Sequence, residues 1–139
     1  MTPGELEKKY YAAFNARDFA AYGLLLTADC QLTAPGGVAL QGVEAIQAFD
    51  RAWTEAFPDA RVSFDAQAAG HGSVASRNRF TGTQTGIFHA PGGEVPPTGR
   101  RVDAEFVAWM DLRGDRCGSF RLYFDQLELM TQLGLFPGG

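Results

Sequence analysis

The sequence predicts one α+β domain, in which a curved antiparallel sheet wraps over N-terminal helices and a short helix follows the sheet. Two patterns support this prediction. Apolar residues recur at helical spacing as far as residue 57, and four alternating runs typical of β-strands follow between residues 61 and 124. The 139 residues, 45% of them hydrophobic, suffice for one core. We therefore expect a single domain over residues 1–139.

Two helices are predicted at the start of the chain. Thr2 and Pro3 are the residue types favoured at a helix start, and apolar positions then repeat at helical spacing to about Arg17. Asp18 can cap a second, shorter helix that runs to Leu26. Two helices thus precede the first strand.

A brief strand and a longer helix come next. Residues 29–34 are expected to form the strand, which ends at the Pro-Gly-Gly turn of residues 35–37. Residues 43–57 keep their apolar side chains on one helical face, and Pro58 ends the helix. The aromatic residues of this helix lie in its C-terminal half.

Four antiparallel strands and a closing helix complete the predicted order. The longest break between strands covers residues 86–99. Asp125 and Glu128 have the spacing of a capping box, which predicts a short helix ending near Gly134. The four predicted strands cover residues 61–68, 74–83, 102–113 and 116–124.

The predicted cone is lined by the alternating residues of its last two strands. Every second residue from Val102 to Leu112 is apolar, so we expect this set to face inward. The same rule places Gly118, Phe120, Leu122 and Phe124 inward and leaves Cys117 on the outer face. Neither inner set contains an ionisable side chain.

Charge and composition exclude several classes of partner. The formal net charge is −4 and the basic residues are scattered, so no nucleic-acid surface is indicated. No apolar run approaches the roughly 20 residues that cross a bilayer, and the first residues lack the pattern of a signal peptide. We expect no membrane partner and a cytoplasmic location. No spacing indicates a metal site, and no motif indicates a cofactor.

Five segments, in order and in register, resemble the SnoaL-like polyketide cyclases. This resemblance implies a conical α+β barrel, shared with ketosteroid isomerase and nuclear transport factor, that binds a small apolar and polyketide-like molecule. It also implies a homodimer packed through the outer sheet face, with Val107, Trp109 and Tyr123 in the interface and Asp103, Glu105 and Arg121 available for ion pairs. The segments are AWTEAFPD (52–59), RFTGTQTG (79–86), PPTGRRV (96–102), LRGDR (112–116) and FDQLELMTQLGL (124–135).

The same resemblance indicates that the family's acid–base pair is replaced in this chain. Ring-closing members use an Asp three residues before the Asp that begins the terminal helix, together with a His fourteen residues earlier. Those positions hold Leu122 and Ala108, which cannot transfer protons. A third position, often His in the family, is Gln84.

The sequence therefore leaves the catalytic residues undetermined. His89, in the Gly-rich segment over the expected pocket mouth, and Asp125 are candidate acid–base groups. Asp125 also has a sufficient structural role as a helix cap, and His89 has an alternative as a solvated loop residue. The predicted ligand pocket consists of Phe14, Trp53, Phe57, Asn78, Gln84, Phe106, Ala108, Phe120 and Leu122.

Three hypotheses follow for the function. The first is a cyclase-like or isomerase-like enzyme whose acid–base group has moved to His89 or Asp125, or whose reaction needs only a shaped apolar pocket. The alternative is a non-catalytic dimeric protein that binds an apolar molecule or acts as an accessory subunit. In the third, Leu122 and Met110 fill the cone and leave no cavity.

Overall fold

The computed structural model describes residues 1–135 and confirms the predicted α+β class. Four helices and eight strands lie in this part of the chain. The helices are α1 (Pro3–Asn15), α2 (Phe19–Gly23), α3 (Val43–Ala56) and α4 (Gln126–Gln132). The strands are β1 (Leu26–Ala34), β2 (Val38–Gln41), β3 (Arg61–Gly70), β4 (Ser73–Thr83), β5 (Phe88–Ala90), β6 (Gly93–Val95), β7 (Arg101–Arg113) and β8 (Arg116–Phe124).

The first two helices begin where the sequence predicts. Thr2 caps α1 and forms a reciprocal capping box with Glu5. The Asp18 carboxylate caps α2 by accepting a hydrogen bond from the Ala21 N–H at 3.0 Å. The predicted extension of α2 to Leu26 was wrong. Leu26 already lies in β1, because this part of the chain pairs with β8.

Six strands form one curved sheet in the order β2-β1-β8-β7-β4-β3. The four predicted strands β3, β4, β7 and β8 are neighbours and pair antiparallel, as expected. β1 pairs parallel with β8, so the sheet is not antiparallel throughout. β1 is also longer than predicted, because its pairing with β8 begins at Leu26.

Two short hairpins were not predicted. The Pro-Gly-Gly turn connects β1 to β2, and Gly36 and Gly37 both have positive φ there, at 90° and 77°. The break over residues 86–99 contains the two-stranded sheet of β5 and β6. Both hairpins contact α3, through β2 and β5.

The alternation of β7 is observed as predicted, but that of β8 is interrupted. Val102, Ala108 and Met110 are fully buried, whereas Trp109 is 44% exposed. In β8 a register shift separates the pair Asp111–Ser119 from the pair Leu112–Cys117. This bulge turns Cys117 into the core and corrects its predicted outward orientation.

α4 begins at the predicted cap. The Asp125 carboxylate accepts a hydrogen bond from the Glu128 N–H at 3.1 Å. Between α4 and β7, the Gln132 side chain accepts from the Asp103 N–H and donates to the Asp103 carbonyl. Across residues 1–135, no helix has both the length and the apolar character that a membrane crossing requires.

Candidate functional site

The cone contains two adjoining cavities. An inner cavity of about 80 Å³ lies between α1, α3 and the concave face of the sheet. An outer cavity of about 280 Å³ lies between α3, α4 and the two hairpins. Both cavities are lined by Phe49, Trp53, Phe124 and Leu129. The inner cavity is smaller than the roughly 300 Å³ of a typical small-ligand pocket, so a cone largely filled by side chains stays a hypothesis.

Five of the predicted pocket residues line the inner cavity. They come from three sides of the cone: one from α1, one from α3 and three from the strands. Their role in binding a ligand stays a prediction. The five residues are Phe14, Trp53, Phe106, Phe120 and Leu122.

Three other predicted pocket residues are buried behind the cavity walls. Phe57 packs its ring 6.0 Å from the ring of Trp53, and Ala108 is fully covered. Asn78 is also fully buried, and its side-chain amide donates to the Ser76 hydroxyl oxygen at 2.8 Å. These residues support the wall instead of forming its surface.

Gln84 is fully buried and uses its amide group within the protein. Its Nε2 lies 3.1 Å from each of the carbonyl oxygens of Gly86, Val95 and Pro96 and shares its two N–H donors among them. Its Oε1 accepts from the N–H and the hydroxyl of Thr98, at 3.2 and 2.7 Å. Gln84 thus holds together the two ends of the segment that carries β5 and β6. Its donors and acceptors are thus engaged within the protein, and a ligand contact of Gln84 stays a prediction.

The two candidate acid–base residues lie in different places. Asp125 borders the inner cavity, but one of its oxygens caps α4. His89 borders the outer cavity on β5, is exposed, and has Nδ1 3.6 Å from an oxygen of Glu94. Both residues are exposed, so burial does not fix either side chain at the inner cavity.

Leu122 and Ala108 are direct cross-strand partners on the inner face of the sheet. Ala108 is buried and Leu122 borders the inner cavity. The two positions assigned to the family's acid–base pair are thus adjacent in space. In this chain both side chains, Ala108 and Leu122, are hydrocarbon and bring no polar atom into the cone.

The inner cavity nevertheless contains a carboxylate, and it comes from α3. Asp50 is 7% exposed and lines the cavity. The Tyr10 hydroxyl, from α1, donates a hydrogen bond to its Oδ2 at 2.5 Å. Burial raises the pKa of Asp50 to about 7, although the hydroxyls of Tyr10 and Tyr22 oppose this shift by stabilising the charged form.

Three tyrosines surround this carboxylate and remain neutral. Burial raises the pKa of all three hydroxyls. The negative charge of Asp50 raises the pKa of Tyr10 and Tyr22 further, and the charges of Glu7 and Asp50 do the same for Tyr11. The Tyr22 hydroxyl stabilises the charged form of Asp50, whereas the Tyr11 hydroxyl is buried without a formed hydrogen bond. The site therefore offers one unused donor, on Tyr11, beside a carboxylate of near-neutral pKa.

Sequence reasoning missed Asp50, although a signal was present. Asp50 lies four residues after Ile46 and three before Trp53, so it falls on the apolar face of α3. A single acidic residue at a core-facing helical position is costly unless it is paired or protonated. That pattern was sufficient to select Asp50 as a candidate.

A second buried carboxylate, also missed, lies on the other side of α1. The Glu7 carboxylate accepts from the Ser76 hydroxyl at 2.8 Å and from the Gln67 amide at 3.0 Å. Burial raises the pKa of Glu7, and these two hydrogen bonds oppose the shift. Ser76 is in turn bonded by Asn78, so a polar cluster underlies the wall of the cone.

Solved structures share this fold. The chain is similar to a protein assigned as a SnoaL-like polyketide cyclase from Jannaschia sp. CCS1, with 25% identity, a TM-score of 0.86, and coverage of 97% of this chain and 93% of the other. It is similar to IdmH, assigned as a polyketide cyclase, from Streptomyces antibioticus, with 23% identity, a TM-score of 0.82, and coverage of 96% and 99%.

A third structure relates the cone to a wider class. This protein from Catenulispora acidiphila DSM 44928 has a ketosteroid isomerase-like fold and was crystallised with trimethylamine. It shares 18% identity at a TM-score of 0.80, over 98% of this chain and 96% of the other. The molecule is thus an α+β cone of the ketosteroid isomerase-like class.

The family assignment rests on sequence as well as structure. The sequence model of the SnoaL-like polyketide cyclases matches residues 5–133. A comparison with curated protein sequences gave no significant match. The chain belongs to the SnoaL-like polyketide cyclase family, which confirms the resemblance noted from its sequence segments.

Replacement of Gln84 should destabilise the protein. Gln84→Ala leaves the Thr98 N–H and three carbonyl groups without their buried partner, so we expect a loss of about 2–4 kcal/mol in the free energy of unfolding. Urea denaturation measures the change. Thr85→Ala, at the exposed neighbouring position, should cost less than about 0.5 kcal/mol. Equal values for both variants would contradict the structural role of Gln84.

Replacement of Asp50 should change how stability depends on pH. The folded carboxyl keeps its proton up to a pKa of about 7, whereas the unfolded one releases it near 3.8, so ionisation favours the unfolded chain between these values. The free energy of unfolding of Asp50→Asn relative to wild type should therefore rise by about 3 kcal/mol from pH 4 to pH 7.

Urea denaturation across this pH range provides the test. Asp115→Asn, at an exposed turn position, serves as the control and should differ from wild type by a constant amount. A constant difference for Asp50→Asn as well would show that the Asp50 pKa is not raised in the folded protein.

Proposed function

We propose that the protein is an acid–base enzyme that transfers a proton beside a carbonyl group of a polyketide-like molecule, with Asp50 as the proton acceptor and donor. One observation supports this more than any other. A carboxylate with a pKa near 7 lies on the wall of an apolar cavity, held by the Tyr10 hydroxyl at 2.5 Å. A base of near-neutral pKa is what proton abstraction from carbon requires at physiological pH.

The proposed step begins with the ionised form of Asp50. Its carboxylate takes a proton from the carbon next to the carbonyl, and the C–H electron pair moves to form an enolate. The enolate then accepts the proton at another carbon, which is isomerisation, or attacks a second carbonyl carbon, which closes a ring. In the second case the new alkoxide receives the proton from Asp50. Each outcome returns Asp50 to its starting state.

The unused Tyr11 hydroxyl suits the developing negative charge. Tyr11 lines the inner cavity, stays protonated because its pKa is raised, and has a hydroxyl without a formed hydrogen bond. A neutral donor of this kind can stabilise an enolate oxygen in a water-poor site. Tyr10 has a different role, because its hydroxyl already holds Asp50.

In this proposal the acid–base function has moved from the sheet to the helix. The family pair would stand on β7 and β8, where this chain has Ala108 and Leu122, whereas Asp50 reaches the cone from α3. His89 and Asp125 are weaker candidates for the moved group. His89 lies outside the inner cavity, and the Asp125 carboxylate is engaged in capping α4.

The alternative proposal is a non-catalytic protein that binds an apolar molecule. The apolar inner faces of β7 and β8 favour it, since they provide contact area without reactive groups. It differs from the enzyme in one measurable respect. A binding protein holds a ketone without exchanging the ketone's α-protons, whereas the enzyme accelerates that exchange.

Exchange of α-protons tests the role of Asp50. With tetralone in D₂O, NMR should show exchange that wild-type protein accelerates and that rises with pH through about 7, as the carboxylate forms. Asp50→Asn should lower the rate by a factor of about 10²–10⁴. Tyr10→Phe should shift the profile to higher pH, because it removes a hydrogen bond to the charged form.

Asp115→Asn again supplies the matched control and should exchange at the wild-type rate. An Asp50→Asn variant that exchanges as fast as wild type would remove Asp50 from the mechanism. Tetralone binding with no exchange by any variant would instead favour the non-catalytic alternative.

We also propose that the protein forms a homodimer through the outer face of the sheet. Trp109 and Tyr123 are 44% and 53% exposed on this face. Val107 pairs with Tyr123 across β7 and β8 and extends the same apolar area. Large aromatic side chains exposed together are typical of contact surfaces. The cytoplasmic location expected from the sequence stays a prediction.

The expected ion pairs of this interface need one revision. Asp103 and Glu105 were expected to be available to a partner, but they pair with Arg79 and Arg77 on the neighbouring strand of the same chain. These pairs leave the aromatic residues as the main contribution to a dimer. Arg121 is the remaining charged residue proposed for the interface.

A charge placed on this face should dissociate the dimer. Tyr123→Glu would bury an unpaired carboxylate in the interface, so sedimentation velocity should show a monomer where wild type sediments as a dimer. Leu24→Glu, at a 72% exposed position on another surface, should leave the dimer intact. A monomeric wild-type protein, or a Tyr123→Glu dimer, would contradict the proposed interface.

A further inference from the structure

The chain contains two cysteines, and the fold brings them together. Cys30 lies on β1 and Cys117 on β8, the two strands that pair parallel. Both side chains are fully buried, and both thiols are free. The two residues are far apart in sequence, so their proximity is a consequence of the strand pairing.

The contacts of the two sulfur atoms place them at the same point of the sheet. The Cys117 thiol donates to the Ser119 carbonyl oxygen at 3.2 Å, and the Cys30 sulfur lies 3.8 Å from the Gln31 carbonyl oxygen. Gln31 and Ser119 are direct partners in the pairing of β1 with β8. The two thiols also interact with each other. A disulfide needs two cysteines on neighbouring segments with side chains that face each other, and this pair meets both conditions.

The two thiols differ in acidity. A hydrogen bond with the Cys117 side chain lowers the pKa of Cys30, and the positive charge of Arg113 contributes in the same direction. The interaction with Cys30, followed by burial, raises the pKa of Cys117. Because the thiolate is the nucleophilic form, Cys30 is the sulfur that reacts first with an oxidant. Cys117 stands beside it as a protonated thiol that can complete a disulfide.

An irregular part of the sheet gives a small oxidant access to the buried pair. The register of β1 against β8 shifts beside the cysteines, so that four residues of β1 (27–30) stand opposite Gly118 alone. The Arg113 side chain lies beside Gly118, where an added Cβ would be 2.6 Å from its Nε. Arg113 also forms an exposed ion pair with Asp29 at 2.7 Å. Local opening at this interrupted pairing costs less than unfolding of the whole domain.

We propose that Cys30 and Cys117 are a redox-sensitive pair, which hydrogen peroxide converts into a disulfide that stabilises the junction of β1 and β8. The Cys30 thiolate attacks one peroxide oxygen, the O–O bond breaks, and the leaving hydroxide takes up a proton to become water. The Cys117 thiol then attacks the sulfur of the Cys30 sulfenic acid, and a second water leaves as the S–S bond forms. The two sulfur atoms together lose two electrons, which reduce the peroxide to two water molecules.

The position of the bond indicates what it would stabilise. Leu32 and Phe120 pair across the same two strands and line the inner cavity, so the disulfide would fasten the sheet beside that cavity. Neither cysteine lines either of the two cavities. The inference therefore does not depend on the proposed acid–base function, and a protein without catalytic activity could still form the bond.

Thiol counting tests the pair in the wild-type protein. Reduced, folded protein is treated with hydrogen peroxide and then unfolded, its free thiols are counted with DTNB, and its intact mass is measured. We expect both thiols to be lost, the mass of the single chain to fall by two hydrogen atoms, and dithiothreitol to restore both thiols. Since the chain has no other cysteine, such a bond can only join Cys30 to Cys117. Two persistent thiols, a mass gain from sulfinic acid, or a disulfide between two molecules would overturn the proposal.

Two single variants test the separate roles of the thiols. Cys117→Ala should leave Cys30 to form a sulfenic acid that dimedone traps, whereas Cys30→Ala should leave Cys117 largely unmodified under the same treatment. Equal dimedone labelling of both variants would overturn the order of attack. If either variant does not fold, the wild-type thiol count still decides whether the pair forms.

Urea denaturation measures the effect of the bond on stability. The disulfide closes a long loop from residue 30 to residue 117, which restricts the unfolded chain. The urea midpoint of the oxidised protein should therefore lie about 1–2 M above that of the reduced protein. The Cys30→Ala variant is the control, and its midpoint should not change on treatment with peroxide. An oxidised wild-type protein with an unchanged or lower midpoint would overturn the stabilising role.

Discussion

The hydrogen bond between the Tyr10 hydroxyl and the Asp50 carboxylate is the interaction on which the interior of the cone depends. It links α1 to α3 across the core through a buried carboxylate. An unpaired carboxylate at this depth would cost several kcal/mol. The tyrosine reduces that cost without supplying a positive charge. Asp50 is therefore kept in the apolar interior with a raised pKa instead of being neutralised by an ion pair.

The sequence allowed the frame of the molecule to be predicted because its patterns are local. Thr2 and Asp125 cap their helices as expected, and the alternation of β7 predicts which of its residues are buried. The parallel pairing of β1 with β8 could not be predicted in the same way. It joins residues more than eighty positions apart, and no local pattern near Leu26 records that contact. The bulge that buries Cys117 likewise depends on strand pairing.

The site was harder to predict than the frame, for a related reason. The resemblance implied that the family's acid–base positions lie on the strands, at Ala108 and Leu122, which are cross-strand partners. Function in this fold depends on the side chains placed within it, so a site can move while the fold is kept. Asp50 was detectable only as an acidic residue on an apolar helical face. Its partner Tyr10 lies forty residues away and becomes relevant only when the helices are packed.

A comparison of the two buried carboxylates explains why Asp50, and not Glu7, is proposed as the acid–base residue. The Glu7 carboxylate accepts hydrogen bonds at both oxygens, from Gln67 and Ser76, and it does not line either cavity. Asp50 lines the inner cavity, and its one formed hydrogen bond engages Oδ2. Both groups have raised pKa values through burial, so pKa alone does not distinguish them. Access to the cavity distinguishes the two carboxylates, because a proton can pass between a carboxylate and a substrate only where they are in contact.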